Sequence, residues 1–104
     1  MQAQNTPKLK ITRIQEGSLA KPPLTTSLKA GCVVLSPGQT VPAHFTGDGD
    51  EALIVLEGTA TVFLGESPNE VPAGSAAFIP PRTEHRVANN GQAQLKYVYV
   101  AAFK

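Results

Sequence analysis

Cysteine is almost absent from this chain. Cys32 stands alone, so no internal disulfide can form, and a reducing cytosol suits the sequence. Neither sign of charge dominates. Nine basic side chains stand against eight acidic ones, giving a net charge of +1, and no basic stripe offers a footprint for nucleic acid. Long hydrophobic runs are missing too, since none approaches the ~20 apolar residues that span a bilayer. The opening residues 1–8 lack the apolar stretch of a secretory signal, which predicts a cytoplasmic protein. Sustained i, i+3, i+4 patterning is also absent, which excludes a long helix, and no linker, low-complexity tract or repeat divides the chain. The 104 residues are therefore expected to form a single domain, 1–104, around one core.

What the chain does contain is turn chemistry. Nine glycines and nine prolines are spread along it, in turns such as Ser36-Pro37-Gly38, Gly47-Asp48-Gly49-Asp50, Glu57-Gly58, Gly65-Glu66-Ser67-Pro68-Asn69 and Asn89-Asn90-Gly91. Between them lie short segments rich in β-branched and aliphatic residues. Strands are expected over residues 9–14, 28–35, 41–46, 52–56, 59–64, 76–79, 85–88 and 95–101. About eight short strands at this spacing imply an all-β sandwich or barrel.

The only two histidines, His44 and His85, each fall beside a Gly/Pro turn on an expected strand. Around the first, the order is Gly38, five residues, His44-Phe45-Thr46, four residues, Glu51, six residues, Gly58. Around the second it is Gly74, five residues, Pro80-Pro81-Arg82, two residues, His85, three residues, Asn89. These two segments resemble, in order, the paired motifs of the cupins. The pattern departs from the family at Thr46, where a second motif-one histidine is expected, and at Arg82, where a glycine is expected.

The resemblance implies a small single-domain cupin, folded as a double-stranded β-helix (jelly-roll) barrel. It implies a metal held by His44, Glu51 and His85, with Thr46 at the fourth position. Geometry agrees in outline: residues two apart on a strand share a face, so His44 and Thr46 project together. The 47–50 turn would then return Glu51 alongside them, and His85 would converge from another strand. Two imidazoles and a carboxylate suit a divalent Fe, Mn, Ni or Zn ion with open coordination positions.

The remaining candidates are weighed on their chemistry. Arg82 and Arg86 carry guanidinium groups that pair bidentately with carboxylates, so Arg82 is a substrate-binding candidate, against snorkelling to solvent. Tyr97 and Tyr99 share one face of the last strand and offer hydroxyls to a ligand, against a role in packing. Asp48, Asp50 and Glu57 read as solvated surface charges, and Cys32 as a small buried hydrophobe. Two functions follow. One is a metal-dependent enzyme acting on a small oxygen-bearing substrate, its catalytic residues unassigned. The other is a non-catalytic barrel that binds or senses a small molecule, for example a sugar, without metal. Apolar terminal strands at 9–14 and 98–103 present edges to cover, so a homodimer is expected.

Overall fold

In the computed structural model the described residues are 7–103; residues 1–6 and 104 lie outside it, and with them most of the opening segment read for an export signal. Alternating side chains punctuated by turns produce nine strands and no helix among the described residues. They are β1 (Gly17–Ala20), β2 (Leu28–Leu35), β3 (Thr40–Phe45), β4 (Glu51–Glu57), β5 (Thr59–Leu64), β6 (Ser67–Pro72), β7 (Ala76–Ile79), β8 (Glu84–Ala88) and β9 (Leu95–Ala102). Accordingly, no helix in that range is long and apolar enough to cross a membrane.

Neighbouring strands run antiparallel in two sheets, one ordered β1-β2-β9-β4-β7 and the other β3-β8-β5-β6. From β2 onward the chain changes sheet at every connection except the β5–β6 hairpin. That interleaving rolls the two sheets face to face into a jelly-roll barrel. It also sets β3 beside β8, strands far apart in sequence, with β4 in the opposite sheet.

Inward positions of both sheets supply the core, including Leu35, Leu53, Val55, Val62, Val87 and Leu95. On β4, Glu51, Leu53 and Val55 point inward and are buried, while Ile54 and Leu56 are exposed on the outer face. Apolar packing fills one end of the barrel. Toward the other end the inward positions turn polar, from Val55 to Glu51 along β4 and from Val87 to His85 along β8. A cavity opens there.

The structure corrects the strand map in three places. Residues 9–14 form no strand: Leu9 and Ile11 are 86% and 84% exposed, and Lys10 donates its ammonium to the Leu24 carbonyl at 2.7 Å. Their alternation is genuine, but a ladder needs a partner, and β1 takes that place against β2 instead. Second, Ser67-Pro68-Asn69 is strand rather than turn. Gly65 and Glu66 alone reverse the chain, and Leu64 pairs with Ser67. Pro68 and Pro72 fit because β6 is an edge strand, where a missing N–H costs no ladder bond. Third, β9 lies between β2 and β4, so 98–103 is no edge.

Candidate metal centre

His44 reaches the barrel interior through an irregularity. Val41 pairs with Val87 and His44 with His85, so three steps on β3 match two on β8. The extra residue is a β-bulge at Pro42–Ala43, and it turns His44 to the same side as Val41 despite their odd spacing. The two imidazoles then meet edge to face, ring centroids 4.1 Å apart and planes inclined by 63°. Glu51 enters from the opposite sheet as the first residue of β4, right after the 47–50 turn.

Hydrogen bonds fix the tautomer of each ring. A carbonyl oxygen can only accept, so His85 Nδ1, 3.1 Å from the Thr83 carbonyl, carries the proton. His44 Nδ1 lies 3.3 Å from the Pro42 carbonyl and is protonated by the same reasoning. In the neutral rings both Nε2 atoms then present lone pairs, the arrangement found when a backbone carbonyl orients a metal-ligating histidine. His85 is 1% exposed, and its Nε2 is buried with no hydrogen-bond partner among the described residues. An orphaned acceptor of this kind costs about 1–3 kcal/mol unless something fills its valence. Glu51 Oε1 sits 3.9 Å away, and a carboxylate oxygen, itself an acceptor, cannot satisfy that lone pair. One donor atom from each of His44, Glu51 and His85 lies within 4.8 Å of the other two. The two buried residues form the inner side of this cluster and the exposed His44 its rim.

The cluster opens onto a cavity of about 330 Å³, at the small end of ordinary ligand sites. Val33, Val41, Leu53 and Val87 form apolar wall, and Tyr97 and Tyr99 bring hydroxyls. Burial first, and the Glu51 carboxylate second, push the Tyr97 phenol well above its ordinary range, so it remains a protonated donor.

This topology and this donor set have known counterparts. A sequence profile of the cupin domain matches residues 31–101, which contain both histidines, Glu51 and eight of the nine strands in whole or part. The chain belongs to the cupin family. Among curated relatives, this cupin is 36% identical over 69 residues to mannose-1-phosphate guanylyltransferase RfbM of Salmonella typhimurium, a match covering 66% of this chain and 14% of that enzyme. In the other curated relatives the match spans half their length or less. A cupin superfamily protein from Desulfitobacterium hafniense superposes with a TM-score of 0.74 at 13% identity, covering 93% of this chain and 84% of that one. A predicted oxalate decarboxylase from Thermotoga maritima gives 0.69 at 20% identity, covering 75% and 68%. At these identities the structural likeness concerns the fold.

Where this cupin departs from the family pattern, the side chains have other occupations. Thr46 is buried and turned to the loop before β8: its hydroxyl donates to the Pro80 carbonyl at 2.6 Å and accepts from the Thr83 N–H at 2.8 Å. It does not line the cavity, and its hydroxyl is engaged by the 80–83 turn. Arg82 holds the left-handed backbone conformation, φ 53°, that the family's glycine would adopt without strain. Its side chain points to solvent and pairs with Asp48 at 3.5 Å, outside the cavity. Arg86 stacks on the Phe63 ring, 3.7 Å from its centroid. Cys32 pairs with Val98, one residue out of phase with the cavity-lining Val33 and Tyr97, and so faces away from the site. Asn89, the last motif residue, is a buried staple whose amide donates to the Leu35 and Ala93 carbonyls, both at 2.9 Å. The cation that does line the cavity is Lys29, absent from the sequence-based candidates.

Proposed function

We propose that this cupin binds a divalent transition metal through His44 Nε2, His85 Nε2 and the Glu51 carboxylate, and uses it on a small oxygen-bearing ligand in the cavity. The observation that carries the reading is the buried, unpartnered Nε2 of His85, aimed at a carboxylate and a second imidazole of matching tautomer. Fe, Mn, Ni and Zn all accept two imidazoles and one carboxylate. Bound there, such an ion supplies Lewis acidity to a ligand oxygen. The chain's own part is to orient the rings through the Pro42 and Thr83 carbonyls, to hold Glu51 in a mostly dry position, and to offer phenol donors from Tyr97 and Tyr99. Equilibrium dialysis against each of the four metals tests this: about one equivalent should bind to the wild type and be lost in His44→Ala/His85→Ala. Absence of uptake by the wild type would favour the second reading, a metal-free barrel binding a sugar or similar molecule. The apolar wall and hydroxyls of the cavity, and the match to part of a mannose-1-phosphate guanylyltransferase, support that alternative.

We also propose that it works as a homodimer in the cytoplasm. Phe78 is 75% exposed on the outer face of the five-stranded sheet, beside the exposed Ile54 of its neighbour β4. The unpaired 7–16 arm carries Leu9 and Ile11 into solvent. It contributes to a radius of gyration of 15.3 Å, against about 13 Å for a compact chain of this length. One chain thus exposes both an apolar face and an apolar arm, and a two-fold pairing would cover both in each copy. The lone buried cysteine agrees with a reducing compartment.

A further inference from the structure

The inner face of β2 faces the cavity with an unusual pair of neighbours. Lys29 pairs with Ala101, Gly31 with Tyr99 and Val33 with Tyr97, so all six positions share the inward side. Gly31 is the reason Tyr99 can lie where it does. A Cβ built on Gly31 would stand 2.5 Å from the Tyr99 hydroxyl oxygen and 2.6 Å from the ring carbon that bears it. The phenol therefore folds across β2, with its hydroxyl over Gly31. Lys29 is the next inward residue along that strand, about 7 Å away, and its side chain also lines the cavity. A long, flexible ammonium and a phenol hydroxyl can thus converge on one point of the wall. Among the described residues neither group makes a hydrogen bond or ion pair with another side chain. Arg82, the cation that the sequence suggested for this task, is turned outward to Asp48.

The charges on the cavity wall define what would fit between the two ends. Glu51 contributes one negative charge and Lys29 one positive, and a divalent ion on the histidines would bring the total to about +2. From this we infer that Lys29 and Tyr99 form a carboxylate subsite, and that the ligand is a small two-ended dianion of the dicarboxylate class. One carboxylate lies at the His44, Glu51 and His85 cluster, and the other receives the Lys29 ammonium and the Tyr99 hydroxyl as charge-assisted hydrogen bonds. This inference rests on the metal reading above for the first end of the ligand and on β2 alone for the second.

Titration calorimetry with malonate and succinate, and with acetate as the one-ended control, separates the two ends. The protein is first loaded with Zn(II) and its zinc content measured. In the wild type at least one dicarboxylate should bind more tightly than acetate. Lys29→Met, which keeps most of the stem, should weaken that dicarboxylate about tenfold while zinc content and acetate binding hold steady. Tyr99→Phe should weaken it by a smaller factor, and Lys29→Arg should restore most of the affinity lost in Lys29→Met. Dicarboxylate binding that is unchanged in folded, zinc-loaded Lys29→Met overturns the subsite. If the wild type takes up no zinc, the metal reading fails by itself, and the same titrations on metal-free protein decide the subsite. Lys29-dependent dicarboxylate binding upholds it there, and absent or Lys29-independent binding rejects it.

Discussion

Replacing Thr46 with valine separates two accounts of the residue that stands where cupins carry a second motif-one histidine. Valine keeps the shape of the side chain and removes only the hydroxyl. In the folded protein that hydroxyl satisfies two backbone groups, the Pro80 carbonyl at 2.6 Å and the Thr83 N–H at 2.8 Å. Both belong to the loop that delivers His85 to the site. A neutral hydrogen bond contributes about 1 kcal/mol net, and an orphaned, partly buried group costs somewhat more than the bond itself contributed. Two bonds in this setting amount to about 2–3 kcal/mol. For a domain of about 100 residues each kcal/mol moves Tm by about 4–8 °C, so a fall of about 10 °C or more is expected. Urea unfolding followed by circular dichroism, with an unchanged m-value, measures the loss directly. Metal stoichiometry at a temperature where the variant is folded should stay at the wild-type level. Unchanged stability together with lost metal would refute the reasoning and return Thr46 to the ligand set.

Other perturbations probe separate parts of the account. Asn89→Ala strands the Leu35 and Ala93 carbonyls and the Gly91 N–H, and should cost about 3 kcal/mol in urea unfolding without any direct change at the cavity. Tyr97 gives a pH dependence of known sign. Its folded phenol is held well above the ordinary value of 10.0, so above about pH 10 the unfolded chain releases a proton that the folded one retains, and stability falls as pH rises. Below that pH this contribution is constant, and Tyr97→Phe should flatten the alkaline decline in the urea midpoint between pH 9 and 11. Phe78→Glu places a charge on the exposed sheet face and should shift sedimentation from dimer to an ~11 kDa monomer; a wild type that is monomeric at micromolar concentration would reject the dimer.

Much of the barrel was legible because its cues are local. The apolar run Ala52–Leu56 declares a strand by itself, although its buried face, Glu51, Leu53 and Val55, is set only by the opposite sheet, and Gly58 ends it at φ 76° with the Gln94 carbonyl packed where a side chain would sit. The fixed spacing from Gly38 to Gly58 and from Gly74 to Asn89 brought the two histidines and Glu51 into view for the same reason: turn residues count out the strand lengths.

Features that depend on a distant partner stayed hidden. Strict i, i+2 reasoning placed Thr46 beside His44, but β3 ends at Phe45, and the next residue is captured by a loop nearly forty positions later. The bulge at Pro42–Ala43 shows only in the pairing with β8. Leu9 and Ile11 alternate as a strand does, yet no neighbouring strand offers them a ladder. Lys29 reads as an ordinary surface cation, and it is exposed, but β9, some seventy residues on, pairs with β2 and sets it on the cavity's lining. Arg82 looked like a ligand anchor by its chemistry alone, while its backbone, held at φ 53°, aims it elsewhere.

The central claim is that His44 Nε2, His85 Nε2 and the Glu51 carboxylate share one metal ion. Anomalous diffraction from crystals grown with Mn, Fe, Ni or Zn, recorded at the absorption edge of that metal, tests it most directly. The account predicts a single strong peak in the barrel, about 2.0–2.2 Å from both Nε2 atoms and a Glu51 oxygen, with each Nδ1 still on its carbonyl. A peak elsewhere, or a water hydrogen-bonded to His85 Nε2 with no anomalous signal for any of the four metals, would contradict it.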